Sequence, residues 1–136
     1  MDYQTIEMAF DFVSSAPPFE NNAVVSRSTG EAYYASAMQD MDEIPDDVDE
    51  NDDYVRIPHK NDLDLGRELV YDFVRLRCPE ETDHVRSIFA RRGAYARFKG
   101  LLAERGLLDA WYSYENERTK EALLLWCNEK GLVIEL

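Results

Sequence analysis

The sequence has few of the features that mark secreted, membrane-spanning or metal-binding proteins. Its 136 residues contain only two cysteines, too few for a disulfide framework or a cysteine-based zinc site. The first ten residues contain no basic residue, which a secretory signal requires. The longest apolar run, 122–127, is far too short to span a membrane. We therefore expect a soluble cytoplasmic protein, not membrane-bound, in which Cys78 and Cys127 are buried as small hydrophobic residues on helices.

Basic residues are scarce in the N-terminal half of the chain. Residues 1–66 hold sixteen acidic and three basic residues, whereas residues 67–136 hold twelve of each. The whole net charge of −13 therefore belongs to the first half. Binding to a nucleic-acid backbone depends on positive charge, so this balance disfavours nucleic acid as the main partner.

Motifs for catalysis and for metal binding are also missing. The chain has no glycine-x-serine-x-glycine elbow and no phosphate-binding glycine loop. Asp47, Asp49 and Asn51 match the start of a calcium-binding loop, but Asp52 occupies the required glycine position and Pro58 the bidentate glutamate position. We expect no catalytic residue, no metal site and no cofactor. Cys78 at a helix start is the one candidate for a thiol of lowered pKa.

Hydrophobic periodicity predicts an α+β fold. The first half reads as a helix at 3–14 that ends at two prolines, a hairpin of strands 22–27 and 31–36, and a third strand at 54–57. Gly30 supplies the positive φ that the hairpin turn needs. Between these strands, residues 40–53 hold nine acids and no base, which predicts a mobile loop.

The second half of the sequence reads as helical. One helix is capped by Asn61 or Asp62, and further helices start near Pro79, Ala94 and Asp109. The first of them is expected to turn one face inward: Leu65, Leu69, Val70, Phe73 and Leu76. Aromatic residues of the last helix, with Trp111 and Trp126 foremost, are expected in the core. A closing edge strand is predicted at 132–136. Together these elements predict one domain, 1–136, with a small antiparallel sheet of a hairpin plus one or two further strands and about five helices.

Several stretches resemble a known family. They are Thr29-Gly30-Glu31 in the hairpin, PHKNDLDLGRELVYDFV at 58–74, FARRGAYARFKGLL at 89–102 and WYSYENE at 111–117. Nearly the whole chain is similar to the bacterial uncharacterised protein family 0158. The family often places an aspartate at the start of the hairpin turn, where this chain has Ser26. The resemblance implies an α+β fold and a bacterial source, and it implies no function.

The leading candidate site is a basic stretch at 86–105, which carries six basic residues and one acid. Arg91 and Arg92 precede a helix start, where free backbone N–H groups and the helix dipole favour anions. Arg97 and the hydroxyl of Tyr95 lie within the next turn. These four residues predict a site for phosphate or carboxylate. The alternative is that the arginines are neutralised by Glu115, Glu117 or the acidic loop.

A second candidate is the segment that contains His59 and Lys60. It lies between a strand end and a helix start, where functional residues often occur. His59 is a possible acid or base oriented by Asp62. His59 and Lys60 extend the predicted anion site. The alternative is that Asn61 or Asp62 only caps the helix while His59 covers a loop.

Three functions remain open. The favoured one is a non-enzymatic protein-interaction or regulatory module with complementary acidic and basic faces. The second is an enzyme or sensor that binds a small anionic ligand at the arginines, with His59 as acid or base. The third, which the net charge disfavours, is a helix-turn-helix-like nucleic-acid binder that uses 91–93 as its turn.

Overall fold

The computed structural model describes all 136 residues and confirms the α+β prediction. The chain divides into two compact units, one made of residues 1–63 and 120–136 and the other of residues 64–119. Whether they form one domain stays a prediction. The α-helices are α1 (Tyr3–Ser14), α2 (Arg67–Arg77), α3 (Thr82–Phe89), α4 (Ala94–Glu104) and α5 (Leu108–Glu129). The strands are β1 (Asn21–Ser26), β2 (Ala32–Ser36), β3 (Met41–Asp42) and β4 (Tyr54–Arg56). Short 3₁₀ helices lie at Lys60–Leu63 and Pro79–Glu81. No helix combines the length and apolar character that a membrane crossing requires.

The first unit is built around an antiparallel sheet with strand order β3-β2-β1-β4. Helix α1 packs against the inner strand β1. Val24 and Val25, adjacent residues of β1, are both fully buried, as expected for a strand covered on its two faces. The edge strand predicted at 132–136 was wrong in extent. It reduces to a single parallel bridge between Asp2 and Glu135, because Glu135 alone both donates to and accepts from the backbone of residues 1–3.

The hairpin turn between β1 and β2 has the predicted geometry. Gly30 has φ +75° and its N–H donates to the carbonyl oxygen of Ser26 at 2.9 Å. One carboxylate also organises the corner. The carboxylate of Asp53 accepts from the hydroxyls of Ser26 and Ser28 and from the backbone N–H of Ser28. These hydrogen bonds, that from Ser26 foremost, hold the pKa of Asp53 below its usual value.

The acidic stretch 40–53 contains more regular structure than a loop. Strand β3 lies inside it, and the N–H of Glu43 donates to the carbonyl oxygen of Tyr34 at 2.8 Å. At its other end, the N–H of Arg27 donates to the carbonyl oxygen of Asp53 at 2.7 Å. The stretch is therefore tied to the sheet at both ends, and the mobility of its middle stays a prediction.

The second unit is helical, and its first helix differs from the prediction. Asn61 and Asp62 belong to a 3₁₀ helix, and α2 starts only at Arg67, because the left-handed φ of +56° at Asp64 interrupts the helical path. The inner face was also wrong at one position. Leu76 is 69% exposed, whereas Val74 is fully buried. The two residues point to nearly opposite sides of the helix, about 160° apart, because each residue turns the chain by about 100°.

An aromatic cluster fills the core of the second unit. Phe73 and Phe98 meet the Trp111 ring edge-on at centroid distances of 5.3 and 5.1 Å, and Phe89 meets Phe98 at 5.8 Å. Trp111 is 1% exposed, so the core position predicted for it is confirmed. Trp126, in the first unit, is also buried.

Both cysteines are free and buried, as predicted. Cys127 lies on α5, but Cys78 lies between α2 and the 3₁₀ helix at Pro79–Glu81, so its predicted place on a helix was wrong. Burial raises the pKa of the Cys78 thiol, so the alternative of a lowered pKa at this helix start was wrong. Burial likewise raises the pKa of Cys127 to about 11.

Candidate functional site

The predicted arginine site lies in the second unit. Gly93, with φ +72°, is the N-cap of α4 and turns the chain from α3 into that helix. Arg91 and Arg92 in this junction are exposed, and neither takes part in any of the six ion pairs of the structure. Neither Arg91 nor Arg92 is therefore paired with Glu115 or Glu117.

The other two members of the predicted site are more engaged. An Nη atom of Arg97 donates to the carbonyl oxygen of Ile88 at 3.4 Å, which folds the side chain back over the junction. Tyr95 is half-buried, with its ring edge-on to Phe89 at 5.0 Å. Burial raises the pKa of the Tyr95 hydroxyl, which keeps it protonated.

Two basic residues of 86–105 interact with other side chains of the second unit. Arg105 forms ion pairs with Glu80, at 2.8 Å, and with Glu81. The ammonium of Lys99 lies 5.6 Å from the ring centroid of Tyr112. The positive charge left without an acidic partner in the junction therefore centres on Arg91 and Arg92.

His59 and Lys60 belong to the first unit, and the structure gives His59 a positioning role. Its backbone N–H donates to the carboxylate of Asp62 at 3.0 Å. Its Nδ1 accepts from the backbone N–H of Asn61 at 3.1 Å, which leaves the proton on Nε2, where it is donated to the carbonyl oxygen of Ala16 at 2.9 Å. The buried ring thus has both nitrogens engaged. The N–H of Lys60 donates to the Ser14 hydroxyl, so this segment is fastened to the end of α1.

A feature that we did not predict stands beside His59: an exposed aromatic residue in a strained turn. The N–H of Glu20 donates to the carbonyl oxygen of Pro17 at 3.2 Å, and Phe19 has φ +75°. With Pro18 at the second position, this is a type II turn in which Phe19 occupies the place that normally holds glycine. The side chain of Asn22 donates to the Phe19 carbonyl oxygen at 3.2 Å and supports the turn. Phe19 is 90% exposed.

Phe19 lies on the rim of two hollows of different character. The first has a volume of about 670 Å³, and its wall includes apolar atoms of Val13, Ala23, Ile57 and Trp126 together with the buried His59. The second has a volume of about 280 Å³. Three acids line it, Glu20, Asp40 and Asp42, without any basic residue. We call the Phe19 turn with its two hollows the Phe19 surface.

The three acids of the second hollow have little internal compensation. None of them takes part in an ion pair. Asp42 accepts one hydrogen bond, from the N–H of Ile44 at 3.1 Å, whereas the side chains of Glu20 and Asp40 make none. The hollow therefore presents uncompensated negative charge next to an exposed aromatic ring.

The family model that matches the chain is described as Uncharacterised protein family (UPF0158), and it covers residues 9–134. The chain belongs to this family. The resemblance seen in the sequence is thereby confirmed over nearly the whole chain. No curated protein matches the chain significantly. No solved structure matches it significantly either.

The Phe19 surface could not be recognised from the sequence. The pair Pro17-Pro18 marks the end of a helix, and a turn of type II is normally indicated by glycine after proline. Phe19 in that place reads as an ordinary apolar residue entering a strand. Asp40 and Asp42 are 21 and 23 residues further along and read as part of the acidic stretch. The pairing of β2 with both β1 and β3 brings them to the same hollow as Phe19.

Proposed function

We propose that the protein is a non-enzymatic binding module that recognises another protein through the Phe19 surface. The observation that carries the proposal is Phe19 itself, a large aromatic side chain that is almost fully exposed at positive φ. A residue other than glycine or asparagine in this conformation costs about 1–3 kcal/mol. Leaving a phenylalanine in water forgoes about 1.5–3 kcal/mol of burial free energy. Glycine would form the same turn without either cost, which supports a function for the ring.

The surroundings of Phe19 support protein binding over catalysis. Aromatic residues near the centre of an interface supply much of its binding free energy when a partner buries them. The one histidine that lines the larger hollow has both nitrogens in hydrogen bonds within the protein. Free, buried cysteines fit the bacterial cytoplasm that we propose as the setting.

The test is a selection of random short peptides against the immobilised full chain and, in parallel, against Phe19→Gly. Glycine keeps the turn because it adopts positive φ without strain, so the substitution removes the ring alone. We expect peptides whose dissociation constant rises at least about tenfold on Phe19→Gly. Met8→Ala is the control, since Met8 is exposed and apolar but lines neither hollow. Recovery of no peptide, or equal binding to wild type and Phe19→Gly, contradicts the proposal.

A second candidate function, binding of a small anion at Arg91, Arg92, Arg97 and Tyr95, is favoured by one observation. The guanidinium groups of Arg91 and Arg92 are exposed and free of ion pairs beside the N-terminus of an eleven-residue helix. His59 and Lys60 are not part of this proposed anion site, because both ring nitrogens of His59 already form hydrogen bonds within the protein.

A thermal-shift panel of phosphates, nucleotides, carboxylates and a short oligonucleotide tests this second function. We expect anions to raise the Tm of the wild type and not that of Arg91→Ala/Arg92→Ala. Arg75→Ala/Arg77→Ala removes the same charge from exposed positions on α2 and serves as control. Equal shifts in all three proteins mean that the arginines are only a solvated surface. A shift with the oligonucleotide alone favours the nucleic-acid alternative.

A further inference from the structure

The two hollows beside Phe19 differ in a way that specifies what binds there. The larger hollow has a mixed lining in which charge is balanced and apolar atoms of Ile57 and Trp126 are accessible, and it is the size of a large side chain or more. The smaller one has three carboxylates and no base. Phe19 stands on the rim of both, so a ligand that covers its ring faces apolar atoms on one side and negative charge on the other.

We propose that the Phe19 surface binds a peptide segment of another protein in which a large apolar residue is followed or preceded closely by arginine or lysine. The apolar side chain enters the larger hollow against Ile57 and Trp126. The cationic group enters the smaller hollow and pairs with the carboxylates of Glu20, Asp40 and Asp42. This inference rests on the proposed function and adds the chemistry of the partner.

Charge complementarity selects this occupant over others. The first unit contains eighteen acidic and five basic residues, so its field attracts a basic segment and repels a second copy of itself. An acidic or neutral segment would desolvate the three carboxylates without giving them partners. A basic segment supplies charge-assisted hydrogen bonds to groups that now have few or none within the protein.

The larger hollow does not oppose a cationic peptide. Its charged lining residues are two bases, Arg56 and Lys130, and two acids, Asp62 and Glu129. One of the bases, Arg56, is paired with Asp49 at 2.8 Å, and Asp62 is occupied by the His59 N–H. The discrimination between basic and other peptides therefore comes from the smaller hollow, and a test directed at its three acids is specific.

The experiment uses the peptides recovered with the full chain and compares two triple variants of equal charge. Glu20→Gln/Asp40→Asn/Asp42→Asn removes the acids of the smaller hollow. Asp46→Asn/Glu50→Gln/Asp52→Asn removes three exposed acids of the same unit that line neither hollow and whose side chains make no hydrogen bond. We expect the hollow variant to weaken binding at least about tenfold and the control variant less than about threefold, because screened charges act weakly at a distance.

A complementary measurement needs no variant of the protein. Synthetic peptides in which arginine and lysine are replaced by glutamine are titrated against the wild type, and we expect the same loss of at least about tenfold in affinity. Urea midpoints of the two triple variants verify that both are folded.

The outcomes separate this inference from the proposed function. Peptides that depend on Phe19 but contain no basic residue, or that lose equal affinity on both triple variants, overturn the inference and leave the binding function standing. Absence of any peptide that depends on Phe19 overturns both. A dimer in sedimentation that disappears in Phe19→Gly also overturns the inference, because the occupant is then a second copy of the chain.

Discussion

The two compact units of this chain differ in net charge. Residues 64–119 hold ten acidic and ten basic residues, and Arg105 pairs there with both Glu80 and Glu81. The unit formed by 1–63 and 120–136 holds the entire net charge of −13. A single value for the whole chain therefore describes neither unit. The difference teaches that the acidic unit has an excess of negative charge available for a partner, whereas acids and bases are equal in number in the neutral unit.

The units differ in their cores as well. The neutral unit is organised by edge-to-face rings around Trp111. The acidic unit is organised by β1, whose valines are buried between neighbouring strands and α1. Large aromatic side chains bury much apolar area per residue, so the helical unit depends on few residues for its stability.

The largest expected effect concerns that aromatic core. Phe73→Ala should lower the free energy of unfolding by about 3–5 kcal/mol, because a fully buried ring is replaced by a cavity. Leu76→Ala on the same helix should change it by less than about 0.5 kcal/mol, because Leu76 is exposed. Urea denaturation followed by circular dichroism measures both. A comparable loss in the two variants would contradict the observed register of α2.

A second pair of variants replaces one glycine in each unit, and the stability of the two variants is compared. Gly30→Val in the acidic unit should destabilise by about 1–2 kcal/mol, because a β-branched residue adopts positive φ only with strain. Space is available, since the nearest atom to an added Cβ is a Met1 side-chain carbon at 3.9 Å, so the cost is conformational.

Gly100→Ala in α4 of the neutral unit is expected to act with the opposite sign. An added Cβ meets nothing within 4 Å, and alanine should stabilise the helix by about 0.5–1 kcal/mol. Thermal melts of the two variants test the pair. An unchanged Tm for Gly30→Val would mean that the turn accommodates the side chain by another conformation.

The third prediction concerns mobility within the acidic unit. Amide hydrogens of 44–51 should exchange quickly, because the segment is rich in like charges and forms only short turns. The amides of Glu43 and Arg27 should exchange more slowly, since each donates to the carbonyl oxygen of another chain segment. Hydrogen exchange with mass spectrometry distinguishes the two groups. Protection of 44–51 to the level of α5 would show that the acidic segment is as rigid as a helix.

The smallest expected effect is a dependence of folding stability on pH that arises from Asp53 at the hairpin corner. The pKa of Asp53 is lowered in the folded state from 3.8, mainly by the hydrogen bond from Ser26. Its contribution to stability is therefore complete above that ordinary value, and it is lost as the pH falls through the lowered pKa. Asp53→Asn should reduce the loss of stability in acid, whereas Asp52→Asn, whose side chain makes no hydrogen bond, should leave it unchanged. The urea midpoint of each variant, measured near neutral pH and again in acid below the ordinary pKa of aspartate, tests this prediction.

The sequence by itself determined the elements whose signals are local. Helix α1, the hairpin with Gly30 at positive φ and the helix that begins after Gly93 follow from periodicity and from glycines at turns. Charge counts likewise assigned the excess of acids to the N-terminal half. These properties depend on residues a few positions apart, which is why one sequence suffices to predict them.

The tertiary structure decided what depends on distant residues. The chain that leads into the Phe19 turn is anchored by the hydrogen bond between the Ala16 carbonyl oxygen and His59, 43 positions away. The hollow that joins Phe19 to Asp40 and Asp42 exists because β2 pairs with β1 on one side and with β3 on the other. Long-range strand pairing determines which side chains meet, and no local sequence pattern shows that pairing. The Phe19 surface could therefore be recognised only in the tertiary structure.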